Sequence, residues 1–510
     1  MTCIVHHRHT KTGIVYVYES ESHWDKEKKR CVCQRKCIGH VDPTTGNVVP
    51  NRKKNAPKSS NPIVRSAGCS LLFDPLTEKT GLRTTLKRSF PEEWDKILTC
   101  AYYLLSEGTP LCHCEQWSAG TTHPYNATLT SQRISELLSS LSVDKQTLFF
   151  QNWVKKVSEK EYFALDITSV SSYSELLSSV RYGYNRDGES LPQINFCMLV
   201  GEKSGLPVYY ERYPGSIHDV STLKRYLKTL NWLQADHIHL VMDKGFCSLK
   251  NISELYASGY KFTLGMSRGL KFVKEVLREV KDTICSYENY QENLGNFHYT
   301  STLIKKWEGH RAYVHVYYDP AKREEDHAEF IHLIHMCEKE LTLGEEVAEH
   351  KEVYENYFTL TETPKRGRNV VVDTTKVMEQ RSEFAGYFVL MSNDVKDPAR
   401  ALEIYRQKDA VEKSFANMKN ELDGKRLRVR SEPALTGRLF IQFIAQIIYS
   451  EVMKTLRGTE LEKKLSVQDV FSEMKILSLV KFPGRKSAMY TEFTANQKKI
   501  MELFQINGKT

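Results

Sequence analysis

β-Branched and aromatic residues alternate through Ile14-Val-Tyr-Val-Tyr18, which predicts a strand. Asp42-Pro-Thr-Thr-Gly46 has the composition of a turn, so residues 1–50 read as short strands. Lys53, Lys54, Pro57, Ser59, Ser60 and Pro62 mark residues 51–62 as a basic linker. From 67 to 158 the apolar spacing turns helical. Pro91 opens a helix to about Leu105, closed by Gly108-Thr-Pro110. A second helix runs from Ser131 to Leu141, and Ser142 caps a third with Asp144 in its first turn. Two short helices joined this tightly fit a helix-turn-helix and an ordinary bundle equally well, because no base-reading pattern separates the two.

Beyond Glu161 the period changes again. Tyr162–Ile167 is an apolar strand with one acid inside it, and Asn195–Val200 and Leu206–Tyr213 follow across turn-like links. These three predict an antiparallel meander. A helix over Asp219–Leu230 leads to the strand Ile238–Asp243. Ser248 then caps a helix to Ser258, with Gly259 as its stop, before the strand Lys261–Met266. Strand–helix–strand of this length is a right-handed crossover with parallel strands. The order β-β-β-α-β-α-β is that of the ribonuclease-H-like fold. Residues 269–396 fit it poorly and read as a β-containing insertion, with strands at Arg311–Tyr318 and Tyr387–Met391. Asp397-Pro398 then opens a long helix. The expected class is α/β: a ribonuclease-H-like mixed-sheet core with an insertion, behind a basic β segment and a helical domain. The boundaries are 1–66, 67–158 (a candidate DNA-binding domain), 159–268, 269–396 and 397–510.

Composition narrows the setting. Among 510 residues, 40% are hydrophobic and 26% charged, which fits a globular chain and excludes a disordered one. The apolar stretch Leu439–Ile448 holds two Gln and falls far short of the ~20 residues of a membrane span, so no membrane partner is expected. MTCIVHHRHT lacks the layout of a secretory signal. Twelve scattered Cys suit free thiols in a reducing cytoplasm. The net charge is +9, and residues 1–65, with thirteen basic and five acidic residues, hold +8 of it. Such a concentration fits a polyanion partner, and a solvated basic tail equally well.

Three carboxylates carry candidate chemistry. Asp166 lies inside an apolar strand, where a charge is costly unless paired or metal-bound. Asp243 ends a parallel strand, the usual place for sites in open α/β sheets. Either alone is as well explained as a cap or turn former. Glu412 is sharper. At 100° per residue, Tyr405, Lys408, Glu412 and Lys419 share a stripe about 60° wide, bordering an apolar stripe of Ile404, Val411, Phe415, Met418 and Leu422. An ordinary solvated Glu/Lys edge is the alternative.

Tyr405-x2-Lys408-x3-Glu412-x6-Lys419 resembles the Y-x2-R-x3-E-x6-K signature of bacterial DDE insertion-sequence transposases, departing from it only at Lys408. The departure keeps the charge and loses the bidentate guanidinium. Leu165-Asp-Ile-Thr168 resembles that family's first-acid segment and Met242-Asp-Lys-Gly-Phe246 its second. Leu191-Pro-Gln, Gly205-Leu-Pro-Val, Pro214-Gly-Ser and His218-Asp219 resemble its sheet region. The likeness spans roughly 160–445, with Trp24–Lys28 and Cys37–Gly39 added, and the long Asp243–Glu412 separation suits members with a β-rich insertion. The resemblance implies that Asp166, Asp243 and Glu412 hold two Mg²⁺ ions, with Mn²⁺ able to substitute, to cut and rejoin phosphodiesters. It implies that Tyr405, Lys408, Lys419 and Lys244 contact the phosphates of double-stranded DNA, at transposon ends and target. It also implies a homodimer for synapsis and a cytoplasmic, nucleoid-associated protein. Trp307 is either a base-stacking residue or a core Trp. A catalytically silent DNA binder of the same descent is the competing function; a structure-selective nuclease fits the acids but not the Lys stripe. Cys31-x-Cys33-x3-Cys37-x2-His40 matches no standard zinc spacing, Cys112-His-Cys114 is weaker, and His332-x2-His335 reads as surface.

Overall fold

The computed structural model describes residues 2–10, 12–25, 29–51, 61–157, 162–174, 176–217, 219–235, 238–292, 294–347, 350–363, 367–382, 384–483 and 487–506. Most of the basic linker, residues 26–28 and His218 therefore lie outside the described residues. The chain divides into two compact units, Met1–Val64 with Val480–Met489, and Arg65–Leu479 with Tyr490–Thr510.

The smaller unit contains a four-stranded antiparallel meander of Thr2–Arg8, Val15–Asp25, Arg30–Val41 and Val48–Pro50 in sequential order. Its third strand is nearly all exposed or half-buried, with only Gly39 buried. Lys29, Arg30, Arg35 and Lys36 are exposed.

The larger unit is a mixed α/β structure around a nine-stranded sheet. Its strands are β1 (Tyr162–Ser172), β2 (Gln193–Gly201), β3 (Pro207–Pro214), β4 (His239–Met242), β5 (Lys261–Gly265), β6 (Tyr299–Trp307), β7 (His310–Tyr318), β8 (Tyr387–Ser392) and β9 (Arg426–Leu427). Their spatial order is β6-β7-β8-β5-β4-β1-β2-β3, with β9 added beside the end of β1. β1, β4 and β5 run parallel, and β1-β2-β3 is the expected antiparallel meander. Every residue of β2 is buried, as its nearly unbroken apolar run requires of a strand covered on both faces. Ser248 caps the crossover helix Leu249–Ala257 through the Asn251 amide, and Gly259 takes a φ of +74° after it.

Residues 269–396 do not stand apart from this sheet. β6, β7 and β8 continue it from the β5 edge through antiparallel pairs, and the excursion between β7 and β8 carries the helices Pro320–Leu343, Lys351–Tyr357 and Thr374–Ser382 and the hairpin Phe358–Thr363/Gly367–Val372. Sequence periodicity sees local strands, whereas joining an existing edge depends on a partner more than a hundred residues away.

The helices of residues 68–157 gather around Glu432–Leu456, which is almost entirely buried. By length and composition alone that helix could cross a membrane, yet most of it is buried within this unit. Gln442 and Gln446 within its apolar stretch, and Ser450 and Glu451 beyond it, are buried along with the apolar residues. Gly437 sets the closest approach: a Cβ there would lie 2.1 Å from the Leu138 carbonyl oxygen of the Ser131–Ser140 helix. All twelve cysteines are free thiols.

Candidate active site

Leu165 on β1 pairs with Met242 on β4 in a parallel register. Asp166 on β1 and Asp243, just past the end of β4, therefore follow paired residues of neighbouring strands, which lie ~4.8 Å apart in the hydrogen-bonding direction. Both line a cleft of about 680 Å³ together with Tyr184, Arg186, Asn195 and Lys244. Burial pushes the Asp166 carboxyl up to about 6. The Ile167 amide, 2.8 Å from Oδ1, and the charges of Arg186 and Lys408 act against that rise, while Asp243 adds to it. Burial also works against the charge on Asp243. There the Tyr405 hydroxyl, Lys408 and the Lys244 amide win, and its pKa falls below the usual carboxylate value.

Glu412 comes from the other side. Asp397 caps the helix Pro398–Arg406 through the Arg400 amide, as expected from Asp-Pro. The single long helix, however, is two. Pro398–Arg406 and Asp409–Asn420 meet at Gln407–Lys408, where Lys408, Ala410 and Val411 donate to carbonyls three residues back at 3.0–3.1 Å. Such i→i+3 bonds tighten the turn to about 3.0 residues, so the two halves are no longer in the phase of one ideal helix. Before the joint, Tyr405 is buried and donates its hydroxyl to Asp243 Oδ1 at 2.5 Å. Gly265 makes this possible, since a Cβ there would sit 2.9 Å from the Tyr405 hydroxyl. After the joint, Glu412 is half exposed at 50% and outside the cleft lining.

Lys408 connects the acids. Its Nζ is 2.6 Å from Glu412 Oε1 and 3.9 Å from Asp243 Oδ2, so those two carboxylates are separated by no more than the two distances together. Burial disfavours this ammonium, but the hydrogen bond to Glu412 and the charges of Asp243, Glu412 and Asp166 raise its pKa. One cation thus bridges two of the carboxylates, and the charge of the third, Asp166, also favours its protonated form.

The remaining residues separate. Lys244 is exposed beside Asp243. Lys419 is held by both oxygens of Asp187, at 2.7 and 2.8 Å. Trp307 ends the edge strand β6, with β7, β8 and β5 between it and β4. It is half-buried, donates to Ser253 Oγ at 3.1 Å and meets Phe272 edge-on at 5.4 Å, beside Lys250 and Lys306. It is neither a fully buried core Trp nor a neighbour of the acids.

Sequence reading missed Tyr184, Arg186 and Asp187, all from the loop between β1 and β2. The available signal was the run Tyr182-Gly-Tyr-Asn-Arg-Asp187, whose two Tyr are strongly exposed. Gly265 carried no signal, because its need arises only from Tyr405.

Tyr405 orients Asp243 in this geometry, which makes its contribution measurable. Tyr405→Phe removes a hydrogen bond to a charged group, worth about 1.5–3 kcal/mol. On the function proposed below, the expected result is a loss of roughly tenfold or more in DNA cleavage, with affinity for DNA ends unchanged. Weakened end binding at full cleavage rate would make Tyr405 a phosphate contact instead.

The family model for the transposase DDE domain matches residues 158–448. No curated protein matches the chain. Among solved structures, it is similar to one described as a piggyBac transposase synaptic complex with hairpin DNA, at 10% identity and a TM-score of 0.38, over 79% of this chain and 70% of that one. The matched span takes in β1 with Asp166, the end of β4 with Asp243, and the helix of Glu412, and through it this chain belongs to the transposase DDE-domain family.

Proposed function

We propose that this protein is the transposase of a bacterial insertion sequence, which binds terminal inverted repeats and carries out metal-dependent DNA strand cleavage and strand transfer. The observation that carries the reading is Asp166 and Asp243 lining one cleft at the ends of neighbouring strands, with Lys408 linking Asp243 to Glu412. The strand order β3-β2-β1-β4-β5 supports a ribonuclease-H-like core.

The donor set fits divalent magnesium. All three side chains offer oxygen, the ligand Mg²⁺ prefers. Asp166 resists ionisation because its burial exceeds what Arg186 and Lys408 compensate, the condition that further positive charge relieves. Asp166, Asp243 and Glu412 would hold two Mg²⁺ ions, with Mn²⁺ able to replace them. When bound, such ions relieve charge at the attacking and leaving oxygens of a phosphodiester. Tyr405 fixes the rotamer of Asp243 and keeps it ionised. Lys408 holds Glu412 toward the strand ends and neutralises part of the acidic cluster until DNA and metal arrive. Lys244 contacts a phosphate beside the cleft. Lys419, released from Asp187, contacts another. Trp307, with Lys250 and Lys306, offers a ring face to DNA at the sheet edge. Bringing two DNA ends together requires at least a homodimer. A nucleoid-associated, cytoplasmic protein follows from such a substrate.

The test is a Mg²⁺-dependent cleavage and joining assay on double-stranded DNA carrying the element's own ends, run beside a gel-shift. Cutting at the ends supports the reading. A protein that binds the ends and cuts under no divalent metal is a catalytically silent binder.

The basic meander gives a separate prediction. Replacing Lys29, Arg30, Arg35 and Lys36 with Gln is expected to flatten the plot of log affinity against log salt. Each lost phosphate contact removes about 0.9 from the slope. An unchanged slope would mean these charges do not face DNA.

A further inference from the structure

We propose that Cys337, Glu340 and His350 form a zinc site, separate from the acidic cluster and independent of the function assigned to it. One ligand atom from each lies within 4.8 Å of the other two. Cys337 and Glu340 sit three residues apart on the helix Pro320–Leu343, and therefore on one face. His350 follows the loop after Gly344 and directly precedes the helix Lys351–Tyr357. The three thus join the first two helices of the excursion between β7 and β8.

Cys337 is fully buried against Leu341 and Tyr354, and its thiol makes no hydrogen bond among the described residues. Glu340 and His350 are half-buried, so an ion can reach the site from solvent. Glu340 Oε2 accepts from His350 Nδ1 at 2.8 Å and from the Tyr354 hydroxyl. Tyr354 in turn accepts the Val347 amide at 3.0 Å. Tyr354 therefore aims the carboxylate, as the outer partners of metal ligands do.

The donor chemistry selects the ion. A thiolate, an imidazole and a carboxylate together suit borderline Zn²⁺, whereas hard Mg²⁺ avoids sulfur. Around tetrahedral zinc, with bonds of about 2.0–2.3 Å, ligand atoms lie roughly 3.5 Å apart. The observed spread, within 4.8 Å, has to narrow by about an ångström to reach that spacing. Coordination replaces the His350–Glu340 hydrogen bond with two bonds to the ion, the Nδ1 proton being lost to solvent and the neutral ring taking up a proton at Nε2 instead. The Cys337 thiol proton passes to solvent, because the thiolate is the ligand. Three protein ligands leave the fourth position to water. Bound zinc ties His350, and with it the second helix, to the first.

The test uses the full-length chain in metal-free buffer, titrated with Co²⁺ as the spectroscopic probe and then with Zn²⁺. One equivalent of Co²⁺ is expected to give thiolate-to-cobalt charge transfer and tetrahedral d–d bands, both displaced by Zn²⁺. Cys337→Ser is expected to abolish the charge-transfer band. His350→Gln, at a partly exposed position that leaves the apolar cluster intact, is expected to weaken zinc binding about tenfold or more and to remove the zinc-dependent rise in Tm. A charge-transfer band that survives Cys337→Ser belongs to other thiols, such as Cys31, Cys33 and Cys37, and overturns the proposal. So does the absence of any thiolate band in the wild type, or unchanged zinc affinity in His350→Gln.

Discussion

Replacing Asp166 with asparagine is expected to abolish DNA cleavage and joining while leaving end binding and the fold intact. The amide keeps the carboxylate's shape, and its oxygen can still accept the Ile167 amide that now reaches Oδ1. What it loses is negative charge at the innermost of the three acids. Losing a pre-organised charge interaction in a catalytic site costs on the order of 10²–10³ in rate, and more if metal binding fails altogether. Asp243→Asn and Glu412→Gln are expected to behave alike, with losses that do not add, because the three serve one constellation.

The same substitution has a stability signature of opposite sign. The folded-state pKa of Asp166 is raised to about 6 from 3.8. An ionised Asp166 therefore opposes folding above that pH, and the opposition disappears on acidification below 3.8. Without divalent metal at pH 7, Asp166→Asn should raise Tm, by an amount equivalent to at most about 2–3 kcal/mol. A gain in Tm with loss of cleavage separates a disabled site from an unfolded one. A variant that cuts at the wild-type rate sinks the assignment of Asp166.

The second large effect is structural. Arg438→Met should destabilise the larger unit by about 3–5 kcal/mol, as breaking one side of a buried pair does. Arg438 is 2% exposed, and its guanidinium lies 2.5 Å from Asp423 Oδ2 and 2.8 Å from the Asp423 carbonyl. Asp423, at a φ of +53°, follows the helix of Glu412. The next residue, Gly424, returns its amide to the Met418 carbonyl, in a space where a Cβ would meet that oxygen at 2.3 Å. Arg438 thus pins the end of the glutamate helix to the buried helix Glu432–Leu456. Arg428, at 3.4 Å and exposed, replaces little of this pairing. Denaturant unfolding measures the loss. The double variant with Asp423→Asn should cost less than the two single variants together, because it leaves no unpaired buried charge. Strict additivity would mean that the pair is not coupled.

Much of the core was legible in the residues. β1 to β5 announced themselves because buried strands leave apolar runs and crossover helices leave caps, as Ser248 and Gly259 show. Asp166 and Asp243 stood out because an acid inside or at the end of such a run breaks its pattern. The Tyr–Lys–Glu–Lys spacing singled out Glu412 by the rule that residues three, four and seven apart share a helix face, a stripe the structure divides at Gln407–Lys408. These are local consequences of backbone periodicity, and the chain carries them wherever it packs.

Tertiary structure decided what depends on a distant partner. The helix joint at Gln407–Lys408 coincides with Tyr405 reaching Asp243 on one side and Lys408 reaching Glu412 on the other. Lys419 is paired with Asp187, a partner far away in sequence that no local pattern shows. β6, β7 and β8 became part of the main sheet because β5 left an edge for β8 to pair. The sequence by itself thus determined which residues could be strands, helices and ligands. Which cation stands among the acids, and which side chain holds which, followed from hydrogen bonds and charge pairs whose energies exist only once separated segments meet.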